Sequence, residues 1–498
     1  MSAPSERAAA ATTLEATTAR NNLVIRILII SAFTVILNET IMGVAIPHLM
    51  EDLGITAIDA QWLTTAFLLT MAVVIPITGY LLTRFPTRPL YIIAMSVFVL
   101  GTALAAVAPG FEVLLIARVI QACGTAVMLP LLMTTVISLV PEHERGRRMG
   151  TIGMVISVAP AIGPTISGMI LAVASWRFLY VAVLPVAITV LIFGILHMRS
   201  TNEPKKTPLD ILSVGLSAVG FGSLVYGLSR IGESAEGNIV SALGFTLLGA
   251  AVLAIFVRRQ IVLQRDDKAL LDLRTFRSRT FAVSVALFVV CMTSLFGTII
   301  LLPLYTQDVL GLTVLQAGLI LLPGGLTMGL LATPVGRAYD RIGPRALLIP
   351  GMTLVSLALW AAAFLLHEAT PWWVVLVVHV TLSIGLALVF TPLFTASLGS
   401  LPRRFYSHGS AIVSTVQQVA AAAGTALFVA TMTAVTITAE SDGASLVSAQ
   451  ASGIRASFMV GAIIATVGIG LATMIRKPVA AEEEPMPDSA PSEPALGR

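Results

Sequence analysis

Fourteen stretches of the chain are apolar enough, at about 20 residues or more, to cross a lipid bilayer, and nothing else in the sequence constrains the fold so tightly. In lipid every backbone N–H and C=O must be satisfied within the protein, which leaves only helices or a closed barrel as spanning structures. The two-residue alternation that a barrel needs is absent. The sequence therefore predicts an all-α integral membrane protein, with helices over 26–50, 61–82, 89–108, 112–140, 148–171, 178–198, 209–229, 237–257, 280–304, 315–336, 345–366, 372–399, 409–435 and 455–475. Composition agrees: 56% of residues are hydrophobic and only 11% charged, against about 25% charged in a soluble domain.

The excess of positive charge, +4 overall, could suggest nucleic-acid binding, but its distribution says otherwise. With the N-terminus inside, all of the 30 Lys and Arg except Arg118, Arg177, Arg230 and Arg455 fall on the inner side. That bias is what the positive-inside rule requires, and it predicts an even helix number with both termini cytoplasmic. It also removes nucleic acid as a partner. The first apolar run is longer than the 7–15 residues of a cleavable signal core, so it reads as a retained helix. Cys123 and Cys291, the only cysteines, indicate neither a disulfide framework nor a metal cluster.

Within the first run stand Asn38 and Glu39, whereas every other acid falls at a run edge or in a loop. A lone carboxylate at membrane depth costs several kcal/mol unless protonated, paired or facing water, and such residues mark ion or substrate paths. Glu39 is thus the candidate functional centre.

The chain divides into a polar, disordered-looking N-terminal tail (1–25), a six-helix bundle (26–206), a two-helix insertion (207–257), a basic connector (258–279), a second six-helix bundle (280–476) and a disordered tail (477–498). The connector carries Leu263, Leu270, Leu271, Leu273 and Phe276 among its basic residues, and reads either as an amphipathic segment along the inner membrane surface or as a solvated linker. An internal repeat supports the two bundles. Gly79 and Arg84 follow the second span, and Gly336, Asp340, Arg341, Gly343 and Arg345 follow the tenth, offset by 257 residues. Duplicated halves with a site between them are a common transporter design.

These residues carry a specific resemblance. The chain resembles major facilitator superfamily transporters of the fourteen-helix drug:proton antiporter family, the EmrB/QacA group, and within it is similar to lincomycin-resistance exporters. Leu37-Asn38-Glu39-Thr40 followed by Val44-Ala45-Ile46-Pro47 matches that family's first-helix signature, although many members carry Asp where Asn38 stands. A shift of one residue turns a side chain by about 100° around the helix. The loop after helix 2 resembles the superfamily's Gly-x-x-x-Asp-Arg-x-Gly-x-Arg motif, with Thr83 in place of the acid and Pro86 in place of the second glycine; the later copy is intact. Acid and arginines at helix ends can latch the two halves, more weakly in the first copy, or can serve only as topogenic charges.

Further matches follow along the chain. Arg118 and Gln121 fit the family's Arg-x-x-Gln signature in helix 4. Arg118 lies roughly 9 Å below the outer helix end, so it either snorkels outward or tunes a neighbouring carboxylate, with Glu39 and Gln121 as candidate partners. Gly163, Pro164 and Gly168, with Ser167 for a glycine, fit the antiporter motif of helix 5. Pro303-Leu304-Tyr305-Thr306-Gln307, Ala317-Gly318-Leu319 through Pro323-Gly324-Gly325, and Gly409-Ser410-Ala411 through Gln417-Gln418 resemble helices 9, 10 and 13. His379 reads as a hydrogen-bonded packing residue rather than a proton relay.

The resemblance implies a proton-coupled exporter of amphiphilic drugs, lincosamide-like or monocationic, working by alternating access in a bacterial-type inner membrane. Export of a lipid or native metabolite, or sensing without transport, remain the alternatives. No enzyme is implied, and the proton gradient takes the place of a cofactor: each proton crossing about 100 mV releases roughly 2.3 kcal/mol. Glu39 and Arg118 are the expected proton-coupling pair. Helix position and polarity place Asn38, Glu39, Gln61, Trp62, Gln121, Met128, Tyr305, Gln307, Phe390, Gln417 and Gln418 around a central cavity for the small-molecule substrate. Protons, substrate and membrane lipids are the expected partners of a monomeric protein.

Overall fold

The computed structural model describes residues 3–201, 204, 208–232 and 239–476. Fourteen helices account for it: α1 (Ala3–Leu53), α2 (Ala57–Arg84), α3 (Thr87–Ala106), α4 (Phe111–Leu139), α5 (Arg145–Leu171), α6 (Arg177–His197), α7 (Ile211–Gly232), α8 (Ile239–Leu263), α9 (Arg279–Leu304), α10 (Val314–Ile342), α11 (Arg345–Leu365), α12 (Trp372–Gly399), α13 (Tyr406–Ser441) and α14 (Leu446–Met474). Each contains a stretch long and apolar enough to span a membrane.

Helix ends follow local chemistry rather than the limits of apolarity. Thr56 with Asp59, and Thr313 with Gln316, form reciprocal capping boxes that start α2 and α10. Ser445 caps α14 through the N–H of Ser448, so that helix begins well before its apolar run. Gly343, at φ +79°, ends α10 in a backbone region that other residues avoid. Residues 3–25, expected to lack order, instead extend α1, whereas the tail 477–498 lies outside the described residues.

Two six-helix lobes result, α1–α6 and α9–α14, and the repeat is visible in their packing. The pairs α3–α4, α2–α4, α1–α5 and α3–α6 recur as α11–α12, α10–α12, α9–α13 and α11–α14. Close backbone crossings use glycine in both lobes: Gly101 and Gly124 between α3 and α4, Gly351 and Gly385 between α11 and α12. The lobes meet along α5–α10 and α2–α13, while α7 and α8 pair outside them and α7 rests on both α2 and α13.

Hydrogen bonds join the lobes toward the basic face, where most of the Lys and Arg gather. Thr134 and Ser410 share one at 2.6 Å, and the Arg145 guanidinium reaches the Tyr406 hydroxyl at 3.5 Å. Gly336 crosses so close to Gly146 and Gly150 that a methyl group there would collide with backbone. The basic face is therefore shut in this conformation.

Part of the connector's apolar face turns inward, while Phe276 stays exposed. After α8 the connector makes two short 3-10 turns, 264–266 and 273–277. Between them Leu270 and Leu271 are buried in the protein core rather than laid on lipid.

Candidate functional site

Helix α1 places Asn38, Glu39 and Thr40 at mid-depth. Thr40 returns its hydroxyl to the carbonyl of Leu37 at 3.0 Å and packs against Gly163 of α5, where any side chain would strike it. Two turns of α5 are thereby locked to α1, because Ser167 also donates to the carbonyl of Ile41 at 2.9 Å. The expected antiporter motif on α5 is thus a contact surface for the helix that carries the acid. Gly168 has open space beside it, and the side chain of Pro164 lies outside the described residues.

Glu39 is partly exposed, and among the described residues its carboxylate forms no hydrogen bond or ion pair. Its neighbour Asn38 is fully buried, with both amide atoms lacking a partner. Arg118 on α4 lies close enough for its charge to act on Glu39, though not in contact. Only 1% of Arg118 is exposed, so it does not snorkel. Its Nε donates to the carbonyl of Leu63 at 3.4 Å, its Nη1 donates to Gln121 Oε1 at 3.2 Å, and its guanidinium lies 4.1 Å from the centre of the Phe67 ring. Gln121 passes the chain on to Thr102 Oγ1 at 3.0 Å. The cation is held by neutral dipoles and an aromatic face, and among the described residues no acid contacts it.

One participant was missed by sequence reasoning. Tyr180 of α6 lies in the electrostatic reach of Arg118 and donates to Met42 Sδ at 3.0 Å. A phenol near the outer end of an apolar helix looks like an interfacial anchor in sequence, and only the fold turns it toward α1.

Several expected cavity residues take other roles. Gln121, Met128 and Tyr305 are fully buried; Gln121 serves Arg118, Met128 belongs to the lobe core, and the Tyr305 hydroxyl donates to the carbonyl of His367 at 2.6 Å. Trp62 stacks on Tyr226 of α7, 5.9 Å between centres, and so faces the insertion. Gln307 donates to its own helix at the carbonyl of Pro303. Phe390 stacks on Phe288 at 6.5 Å in the second lobe's aromatic core. Gln417 and Gln418 stay partly exposed on α13, with Gln417 Nε2 unpartnered, and the side chain of Gln61 lies outside the described residues. His379 packs its ring over Gly324. A groove of about 700 Å³ opens between α11 and α12, and another of about 150 Å³ lies among α1, α5 and α6; neither touches Glu39.

The latch also differs from expectation. Asp340 accepts the backbone N–H groups of Gly146 and Arg147, both at 2.8 Å, and so caps the first turn of α5 from the other lobe. Arg341 and Arg345 are exposed and take no part in this contact. Gly79 packs against Ala411, and Arg84 lies 5.9 Å from the Phe85 ring.

Two repeated helical lobes, shut on one face around a mid-depth acid, define a membrane carrier rather than an enzyme. The chain belongs to the Major Facilitator Superfamily, whose family model matches residues 28–425. It is similar to the uncharacterized MFS-type transporter YcnB of Bacillus subtilis, 39% identical with 95% of this chain and 99% of that one covered. The lincomycin resistance protein LmrB of the same organism is 37% identical, covering 89% and 93%. Its namesake in Listeria monocytogenes is 39% identical, covering 90% and 95%. The fold matches the crystal structure of the human organic anion transporter MFSD10 with a TM-score of 0.66 at 15% identity, covering 91% of this chain and 99% of that one.

Proposed function

We propose that the protein exports amphiphilic drugs, lincosamide-like or monocationic, in exchange for protons, and that Glu39 carries the proton. The basic face is then the cytoplasmic side of a bacterial-type inner membrane. The observation that carries the proposal is a partly exposed mid-membrane carboxylate without a contacting partner, set beside a fixed cation. An acid salt-bridged to Arg118 would hold its charge permanently; one merely within its field can give up and regain a proton as the site changes its access to water. Protonated, Glu39 lets the empty carrier return; ionised, it holds a cationic or hydrogen-bonding drug. The buried amide of Asn38, unpaired at a cost of about 1–3 kcal/mol, is suited to meet a polar group of the substrate. Gln417 and Gln418, partly exposed on α13, supply amide surface from the other lobe. Similarity to two lincomycin resistance proteins favours drugs of that class.

The test is transport in reconstituted vesicles under an imposed proton gradient, with lincomycin and a monocationic dye as substrates. The native protein should couple drug movement to proton movement, and Glu39→Gln should bind drug but lose the coupling. Normal coupled export by Glu39→Gln would reject Glu39 as the carrier.

A further inference from the structure

The repeat brings the lobes together at two related junctions on the basic face, and one of them lacks its acid. At the first, Gly336 of α10 lies against Gly146 and Gly150 of α5, and Asp340, one turn further along, caps the first turn of α5. At the second, Gly79 of α2 lies against Ala411 of α13, and the acid's place one turn on is taken by Thr83. The Thr83 hydroxyl turns back to the carbonyl of Gly79 at 2.8 Å. Helix α2 therefore offers the start of α13 no carboxylate.

The connector occupies this junction instead. Leu271 packs a methyl group beside Gly79, and the backbone N–H of Asp272 donates to His408 Nδ1, in the first turn of α13, at 3.4 Å. Arg274 binds the buried Asp272 carboxylate through Nε at 3.0 Å, and its guanidinium lies 5.4 Å from the ring of Phe405, just before α13.

What holds the connector in place comes from the insertion. Gln260 of α8 is fully buried, and its Oε1 accepts the N–H groups of Leu270 at 2.7 Å and Leu271 at 3.3 Å. Its Nε2 donates to Ser213 of α7 at 2.7 Å, and Ser213 donates to Asp210. Asp210 pairs with Arg259 through two bonds of 2.7 and 2.8 Å, and that guanidinium pulls its carboxyl down to about 2, so the pair keeps its charge at neutral pH. An unbroken polar chain thus runs from α7 and α8 to the α2–α13 junction.

We propose that the two inserted helices and the connector replace the missing acid of the first loop motif, clamping α2 to α13 on the basic face, with Gln260 as the positioning residue. Without Gln260, two buried N–H groups in irregular backbone would lose their acceptor, and the stretch carrying Leu271 and Asp272 would leave the junction. The inference concerns what keeps the basic face shut and stands whichever substrate is carried, whether or not protons drive export.

Spin labels at Ser138→Cys on α4 and Arg404→Cys before α13, with Cys123 and Cys291 replaced by Ala, report the separation of the lobes on the basic face. Measured in nanodiscs without substrate or gradient, Gln260→Ala should raise the wide-separation population about fivefold, as the loss of about one net hydrogen bond implies. Adding Thr83→Asp to Gln260→Ala should restore the native distribution, because a carboxylate there can cap α13 as Asp340 caps α5. Leu271→Ala leaves every hydrogen bond in place and should widen the distribution by itself. An unchanged distribution in folded Gln260→Ala, or a widening that Thr83→Asp does not reverse, overturns the proposal. Should Gln260→Ala not fold, an unchanged distribution in Leu271→Ala overturns it, and a widened one upholds it. None of these readings depends on Glu39, so a failure here leaves the proton-exchange reading standing.

Discussion

The two lobes share a packing plan but not an interior. The first holds Glu39, Arg118 and Gln121, with Tyr180 nearer the outer end, a carboxylate and a cation with their polar escorts. Counted back from the matching loop prolines Pro141 and Pro402, the second lobe has His379 where the first has Arg118, and closer to the basic face it holds Phe288, Phe390 and Phe394, rings packed at 4.6 to 6.5 Å. Duplication explains the common scaffold, and under the proposed function the chemistry is invested in one half. On that proposal the first lobe responds to charge, while the second supplies an apolar wall.

This contrast can be broken or sharpened by substitution. The largest effect is expected from Glu39→Gln, which should reduce proton-driven drug uptake into vesicles to background. Phe288→Ala in the second lobe should lower stability by about 3–5 kcal/mol, as core aromatic truncations do, seen as a lower melting temperature in detergent. Its ratio of protons to drug should stay that of the native protein, whereas a changed ratio would end the division of labour. Arg118→Lys should slow coupled export about tenfold, because an ammonium cannot span the Leu63 carbonyl and Gln121 amide as the guanidinium fork does. The smallest effect concerns Asp52, on the face opposite the basic one. Bonds from Trp176 and Arg177 hold its carboxyl below the usual range, so it contributes stability above the unfolded value of about 3.9 that is lost as pH falls through the folded one. Melting curves between pH 7 and 3 should therefore fall less steeply on the acid side for Asp52→Asn.

The spans were legible because a bilayer imposes a length that any apolar run either meets or misses. Their ends were not, since Ser445 or Thr313 acts through one backbone N–H that leaves no mark on hydropathy. Glu39 was legible as an acid out of place. The partners of Asp340 were hidden because they are main-chain donors, which every residue possesses. Met128, Tyr305 and Trp62 were misplaced for another reason: a helix apolar all round gives no period from which to read which side faces the cavity.

Helix α7 touches α2 of one lobe and α13 of the other. It follows that the lobes cannot rock without dragging at least one of those helices along a stationary rail. Small residues suit such a bearing: even a methyl group added at Gly222 would meet Val73 of α2 only at ordinary van der Waals distance. A branched side chain introduced at Gly222 would act as a brake, slowing turnover while leaving the affinity of either resting state intact.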